Sequence, residues 1–213
     1  MGKSNFYTGF TIAIIGTLLL CSCGRGQVAS PTTGSIDYLT PEEPEVVQDA
    51  PEWEQAVSLQ DRKNKLVDIY RSYIGVREKT GKNDGPEVEE FLAHEGLGKG
   101  YAWCAAFVSF CLDHAGFSNT ITAWSPTAYN RKALVYDKGK FLNMPEPGHV
   151  FTLYYPKKGR IGHTGFFDGW ADEGIIQTVE GNTNDRKSRE GDGVYVILRP
   201  IGTIHSISSW YEY

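Results

Sequence analysis

The residues able to do chemistry are few and widely spaced. Cys104 follows a loop punctuated by Gly96, Gly98 and Gly100, and it opens the stretch Cys104-Ala-Ala-Phe-Val-Ser-Phe-Cys-Leu-Asp-His-Ala115, which Gly116 closes. That stretch is apolar almost all round, as expected of a helix buried in a core. A cysteine at the start of such a helix faces unpaired N–H groups and about half a unit of positive partial charge, which favours the thiolate, the attacking species. Cys111 is seven residues on. At ~1.5 Å rise per residue the two thiols are ~10.5 Å apart along the helix, beyond the ~7 Å Cα limit for a disulfide. Cys111 therefore reads as a small buried hydrophobe.

A thiolate nucleophile needs a base, and five histidines are on offer. His94 and His114 fall late in helical stretches, where a cation meets the carbonyl end of the dipole. His205 lies in a polar segment that reads as solvated, and His149 sits at a strand entrance after Pro147-Gly148 with no assigned role. His163 differs: Gly159-Arg-Ile-Gly-His163-Thr-Gly165 places it at the mouth of an apolar strand with little bulk around it. Seventeen residues later comes Glu180-Gly-Asn182-Thr, on what should be the neighbouring strand. An acid or amide there can accept from the imidazole and fix its tautomer and direction, as the third member of a triad does. A Glu inside a strand otherwise needs explaining. Gly181 and Asn182 are also good turn residues, so a plain strand-end turn is the competing reading. No His-Glu-x-x-His, His-x-His or Cys-x-x-Cys is present, so neither a metal nor another cofactor is expected.

These positions require a helical first half and a stranded second half. Leu59, Leu66, Ile69, Tyr70 and Tyr73 recur on one helical face that Gly75 can end. Asp84-Gly85-Pro86 opens a shorter helix carrying Val88, Phe91 and Leu92, and Ser125-Pro126 starts another. Val150 to Tyr155, His163 to Trp170, Ile175 to Val179 and Val194 to Arg199 are β-branched or aromatic runs spaced like an antiparallel meander. Helices followed by strands, in about 157 residues without internal repeats, predict one α+β domain over 57–213, with N-terminal helices packed on a small antiparallel β-sheet.

The chain has 213 residues, with 21 Lys plus Arg against 26 Asp plus Glu and a net charge of −5. Residues 36 to 54 hold seven acids and no base, so the remainder is nearly neutral and has no basic field to hold nucleic acid. Residues 1–22 read as an export signal: Lys3 is the charged start and Phe10 to Leu20 the apolar stretch, about half of the ~20 residues a membrane-spanning helix needs. Residues 23–56 are acidic and rich in Pro, Ser and Thr, with no sustained apolar period, and read as a tether. Fully extended at ~3.3 Å per residue, it would reach on the order of 100 Å.

Leu20-Cys21-Ser22-Cys23-Gly24 resembles the lipobox of bacterial lipoproteins, in which Cys23 would be acylated, anchoring the chain to a membrane of the bacterial cell envelope. Trp103-Cys104-Ala-Ala-Phe-Val, Pro147-Gly148-His149-Val, Gly162-His163-Thr-Gly-Phe and Val179-Glu180-Gly-Asn182-Thr resemble, in order and spacing, the CHAP family (cysteine, histidine-dependent amidohydrolases/peptidases) of the papain-like NlpC/P60 group, over about residues 67 to 200. The resemblance implies a papain-like α+β fold and a thiol hydrolase, amidase or endopeptidase, cutting amide bonds of peptidoglycan. Cys104 would be the nucleophile, His163 the general base then acid, Glu180 the group orienting His163, and Asn182 a further polar support. His149 stands where the family often has an acid, which would alter the charge of the groove. Tyr101, Trp103, Trp124, Tyr129 and Trp170 are candidates to line a groove for sugar or peptide, and Asn83 and Asp84 to shape a subsite. The charged stretch Asn184 to Asp192 reads as a solvated turn, with substrate gating as its functional alternative. Two other functions compete: a non-catalytic wall-binding lipoprotein on the same fold, and a lysin aimed at other cells.

Overall fold

The computed structural model describes residues 52–184 and 191–211, with side chains from Ser58 onward. The signal segment, Cys23, the tether up to Pro51 and residues 185–190 of the charged stretch lie outside the described residues. Helix α1 spans Glu52–Ser72 and so begins five residues ahead of the expected boundary at 57. Pro51 is the last residue that blocks a helix before Gly75, which allows the earlier start. Leu66 and Tyr70 are fully buried, with Leu59, Ile69 and Tyr73 packed beside them, so the expected face is the one that docks.

Helix α2, Pro86–His94, starts at its proline and buries Val88, Phe91 and Leu92. Helix α3, Cys104–His114, is the hub: every residue from Cys104 to Leu112 is buried, so it has no solvent face over that length. The helix expected after Ser125 is a single 3-10 turn, Ser125–Ala128. The extended backbone of Tyr129 stops it there, φ −84° and ψ 94°.

The sheet is larger than expected. Strands β1 (Leu134–Asp137), β2 (Lys140–Phe141), β3 (Val150–Tyr155), β4 (Arg160–Asp172), β5 (Ile175–Thr183), β6 (Gly193–Pro200) and β7 (Ser206–Ser208) form one antiparallel sheet in the order β2-β1-β7-β3-β4-β5-β6. The meander β3 to β6 is the predicted one; β1, β2 and β7 are additional. β7 pairs with both β1 and β3, so the polar segment around His205 is inside the sheet rather than solvated. The His205 N–H donates to the Thr152 carbonyl and its ring stacks on Tyr154 at 5.4 Å.

Period-two alternation gives the sheet two apolar faces. Val150, Phe166, Val179 and Val194 meet the three helices in the main core. Phe151, Phe167, Ile176 and Ile207 form a second cluster with Val135, Tyr136 and Ile204. Helices first, sheet second, with the cysteine helix packed on the strands, is the expected α+β arrangement.

Candidate active site

Cys104 occupies the first position of α3, and its side chain is buried, 3% exposed. The sheet and the 3-10 turn deliver polar groups to it. The Ser125 hydroxyl lies 3.4 Å from Sγ, the Thr164 N–H donates to the sulfur, and the His163 imidazole hydrogen-bonds to it. His163 is on β4, and its Nε2 lies 2.7 Å from Oε2 of Glu180 on β5, which leaves Nδ1 for the thiol.

Glu180 is 0% exposed, and it is heavily anchored. Arg199 on β6 grips it with both Nε (2.5 Å to Oε1) and Nη2 (2.7 Å to Oε2), and Thr178 Oγ1 donates to Oε1 at 2.5 Å. A two-pronged guanidinium grip fixes the plane of the carboxylate as well as its charge. Thr178, Glu180 and Arg199 share one face of β5 and β6 by alternation, so neighbouring strands assemble the anchor.

Protonation follows from these contacts. Burial pushes the Cys104 thiol up, but hydrogen bonding to His163, the imidazolium charge and the Ser125 hydroxyl together bring it below its ordinary value. Burial pulls His163 down, yet its bonds to Cys104 and Glu180 raise it to about 9. Glu180, whose burial opposes ionisation, is held down to about 2 by Arg199 and His163. These shifts favour charge separation between Cys104 and His163, backed by an ionised Glu180 that Arg199 grips from its other side. Cys111, buried without polar partners, is pushed well above the usual thiol range.

A pocket of about 850 Å³ opens onto Cys104 and His163, walled by Asn83, Ala102, Tyr155, Lys157, Lys158 and Asn182 among others. Tyr155 closes one side against Gly162: a Cβ there would come within 2.3 Å of the Tyr155 ring, so the close approach requires glycine. Gly181 is constrained likewise, with Trp103 2.6 Å from where its Cβ would stand. Packing, rather than a turn, accounts for that residue beside Glu180.

The other expected site residues are divided. Asn182 reaches the site but not the imidazole. Its Oδ1 accepts from the Trp103 N–H at 3.3 Å, and its Nδ2 donates to Asn83 Oδ1 at 3.0 Å and Glu78 Oε1 at 3.3 Å. It steadies the start of α3. Trp103 is a core residue, fully buried between Phe91 and Phe107, with its indole N–H on Glu78 Oε1 at 2.9 Å. Asn83 lines the pocket, whereas Asp84 turns back to the Thr80 N–H and hydroxyl and shapes a loop. Tyr101 and Trp124 are exposed outside the pocket lining. Tyr129 packs on His205 and Trp170 on Phe141 and Phe167, so neither lines it. His149 is structural: its Nδ1 accepts from the Glu146 N–H at 3.1 Å, and burial drives its pKa down to about 4. Sequence reasoning missed Ser125, Thr178, Arg199 and Glu78. Of these only Arg199 left a signal, as a lone charge ending an apolar strand.

Residues 96–182 match the CHAP domain family model, a stretch that contains Cys104, His163, Glu180 and Asn182. Among solved structures, an NlpC/P60 family protein from Bacillus cereus is similar at 14% identity and a TM-score of 0.43, covering 70% of this chain and 40% of that one. A mutated form of the Resuscitation Promoting Factor Interacting protein RipA is similar at 15% identity and a TM-score of 0.42, covering 74% of this chain and 65% of that one. The chain thus spans less than two thirds of the length of either. No curated protein matches the sequence significantly.

Proposed function

We propose that this protein is a thiol hydrolase that cuts amide bonds in the peptide part of bacterial peptidoglycan. The observation that carries the reading is the hydrogen-bonded series Cys104–His163–Glu180, whose first two members line a pocket of about 850 Å³. The Cys104 thiolate attacks the scissile carbonyl carbon. The Cys104 backbone N–H, which has no partner within the helix, lies where the oxyanion forms. The His163 imidazolium gives its proton to the departing amine as the C–N bond breaks, leaving a thioester and a neutral imidazole. Water then attacks the thioester, giving its proton to His163. The acid product leaves, and the thiolate and imidazolium are restored. Glu180, pinned by Arg199 and Thr178, holds the ring and stabilises its charge throughout. In the same reading Cys23 carries the lipid anchor and the acidic stretch after it lets the domain search the wall.

Purified peptidoglycan incubated with the full chain, followed by mass spectrometry of what is released, tests the hydrolase. Defined peptide fragments bearing a new carboxylate and a new amine are expected, with none from Cys104→Ala. Equal release by the variant would end the proposal.

A further inference from the structure

We propose that the turn joining β3 to β4 is a carboxylate-binding subsite, in which Lys157 and Lys158 select peptides bearing an acidic group beside the scissile amide. This deepens the hydrolase reading and rests on it. The chain as a whole is acidic, yet among the described residues no Asp or Glu lines the pocket: besides the Cys104–His163 pair, its charged lining residues are Lys157 and Lys158. Glu180 adds nothing to the pocket wall, being fully buried and bonded to Arg199 and His163.

The lysines are placed by structure rather than scattered. Pro156 fixes the start of a one-turn 3-10 helix, and Gly159 closes it in the left-handed region at φ 62°. Lys158 Nζ lies 5.3 Å over the Tyr155 ring, the same ring that packs on Gly162 next to His163. Among the described residues neither ammonium has a carboxylate partner. Two exposed cations at the rim of the pocket, without a carboxylate partner among the described residues, are matched by an anion on the substrate. Peptides of the wall supply one wherever a γ-linked glutamate keeps its α-carboxylate free.

The test uses two synthetic stem peptides identical except that this α-carboxylate is free in one and a carboxamide in the other. The full chain is expected to show a KM about 5- to 30-fold lower for the carboxylate peptide, with kcat similar and the preference eroded by salt. The double variant Lys157→Gln/Lys158→Gln is expected to lose that preference. A second readout is independent of wall chemistry. Iodoacetate and iodoacetamide both alkylate Cys104, one as an anion and one neutral. The iodoacetate-to-iodoacetamide rate ratio is expected to fall several-fold in the double variant. If the two peptides are cut alike, or the variant keeps the preference, the subsite is refuted. If neither peptide is cut, the hydrolase reading has failed, and the subsite then stands or falls on the alkylation ratio.

Discussion

The two ends of α3 carry the same side chain in similar burial and give it opposite character. Cys104 and Cys111 are both free, 3% and 0% exposed, and seven residues apart on one helix. Burial acts upward on both thiols; only Cys104 ends below its ordinary value. What differs is what the rest of the chain brings. The sheet supplies His163 and the Thr164 N–H, the 3-10 turn supplies the Ser125 hydroxyl, and the helix supplies its N-terminus. Cys111 meets apolar packing. The lowered thiol pKa of Cys104 thus comes from groups that the sheet and the 3-10 turn bring to the helix N-terminus, and burial by itself acts against it.

The largest test of that contrast is removal of the favoured sulfur. Cys104→Ala should lower turnover by at least ~10,000-fold while moving the thermal midpoint little, since triad members act as a unit. Glu180→Gln comes next. It should cut kcat by ~100- to 1,000-fold and, by leaving the half-buried Arg199 without its counter-charge, cost about 2 kcal/mol in denaturant unfolding. A smaller loss would mean that the anchor matters less than the geometry indicates.

The pH profile sharpens the picture further. Because His163 titrates at about 9 in the folded protein rather than near 6.5, activity should hold to about pH 9 and then fall roughly tenfold per unit, as the proton for the leaving amine is lost. The sign carries over to stability. A histidine with a raised pKa contributes fully below 6.5, and its contribution fades as the pH climbs through 9. An alkaline limb already falling at pH 7 in kcat/KM would contradict the imidazolium assignment. Ser125→Ala should reduce kcat/KM by less than about tenfold and shift the acid limb upward, because the thiolate loses a donor. Smallest of all, Cys111→Ala should leave activity within about twofold and cost about 1 kcal/mol, and iodoacetamide should label Cys104 but not Cys111. Labelling of Cys111 in the native protein would break the comparison outright.

The readable parts of the sequence were those with strong local chemistry. Pro86 marked the first residue of α2, the apolar run from Cys104 gave α3, and the β-branched run gave β3 at its observed ends. β7 was unreadable because Ser-Ile-Ser has little strand character of its own; its hydrogen bonds to β1 and β3 are long-range. The site divided in the same way. Cys104, His163 and Glu180 each sit in a distinctive local setting, whereas Ser125 is an ordinary Ser-Pro until the fold carries it to the sulfur. Trp103 and Asp84 misled because side-chain type does not reveal direction. The indole faces the core and Glu78, and the carboxylate faces its own loop.

One irregularity in the ladder has a further consequence. β3 and β4 pair Leu153 with His163 and then Tyr154 with Ile161, which leaves Gly162 as an extra, unmatched residue. That hiccup uncouples the rotation of the hairpin tip from the position of the imidazole. Gaining or losing a residue on the tip side of it would swing the aromatic and cationic wall to a new heading, while Cys104, His163 and Glu180 stay where they are. Length change, rather than substitution, is then the cheapest route by which a descendant of this scaffold acquires a different diet.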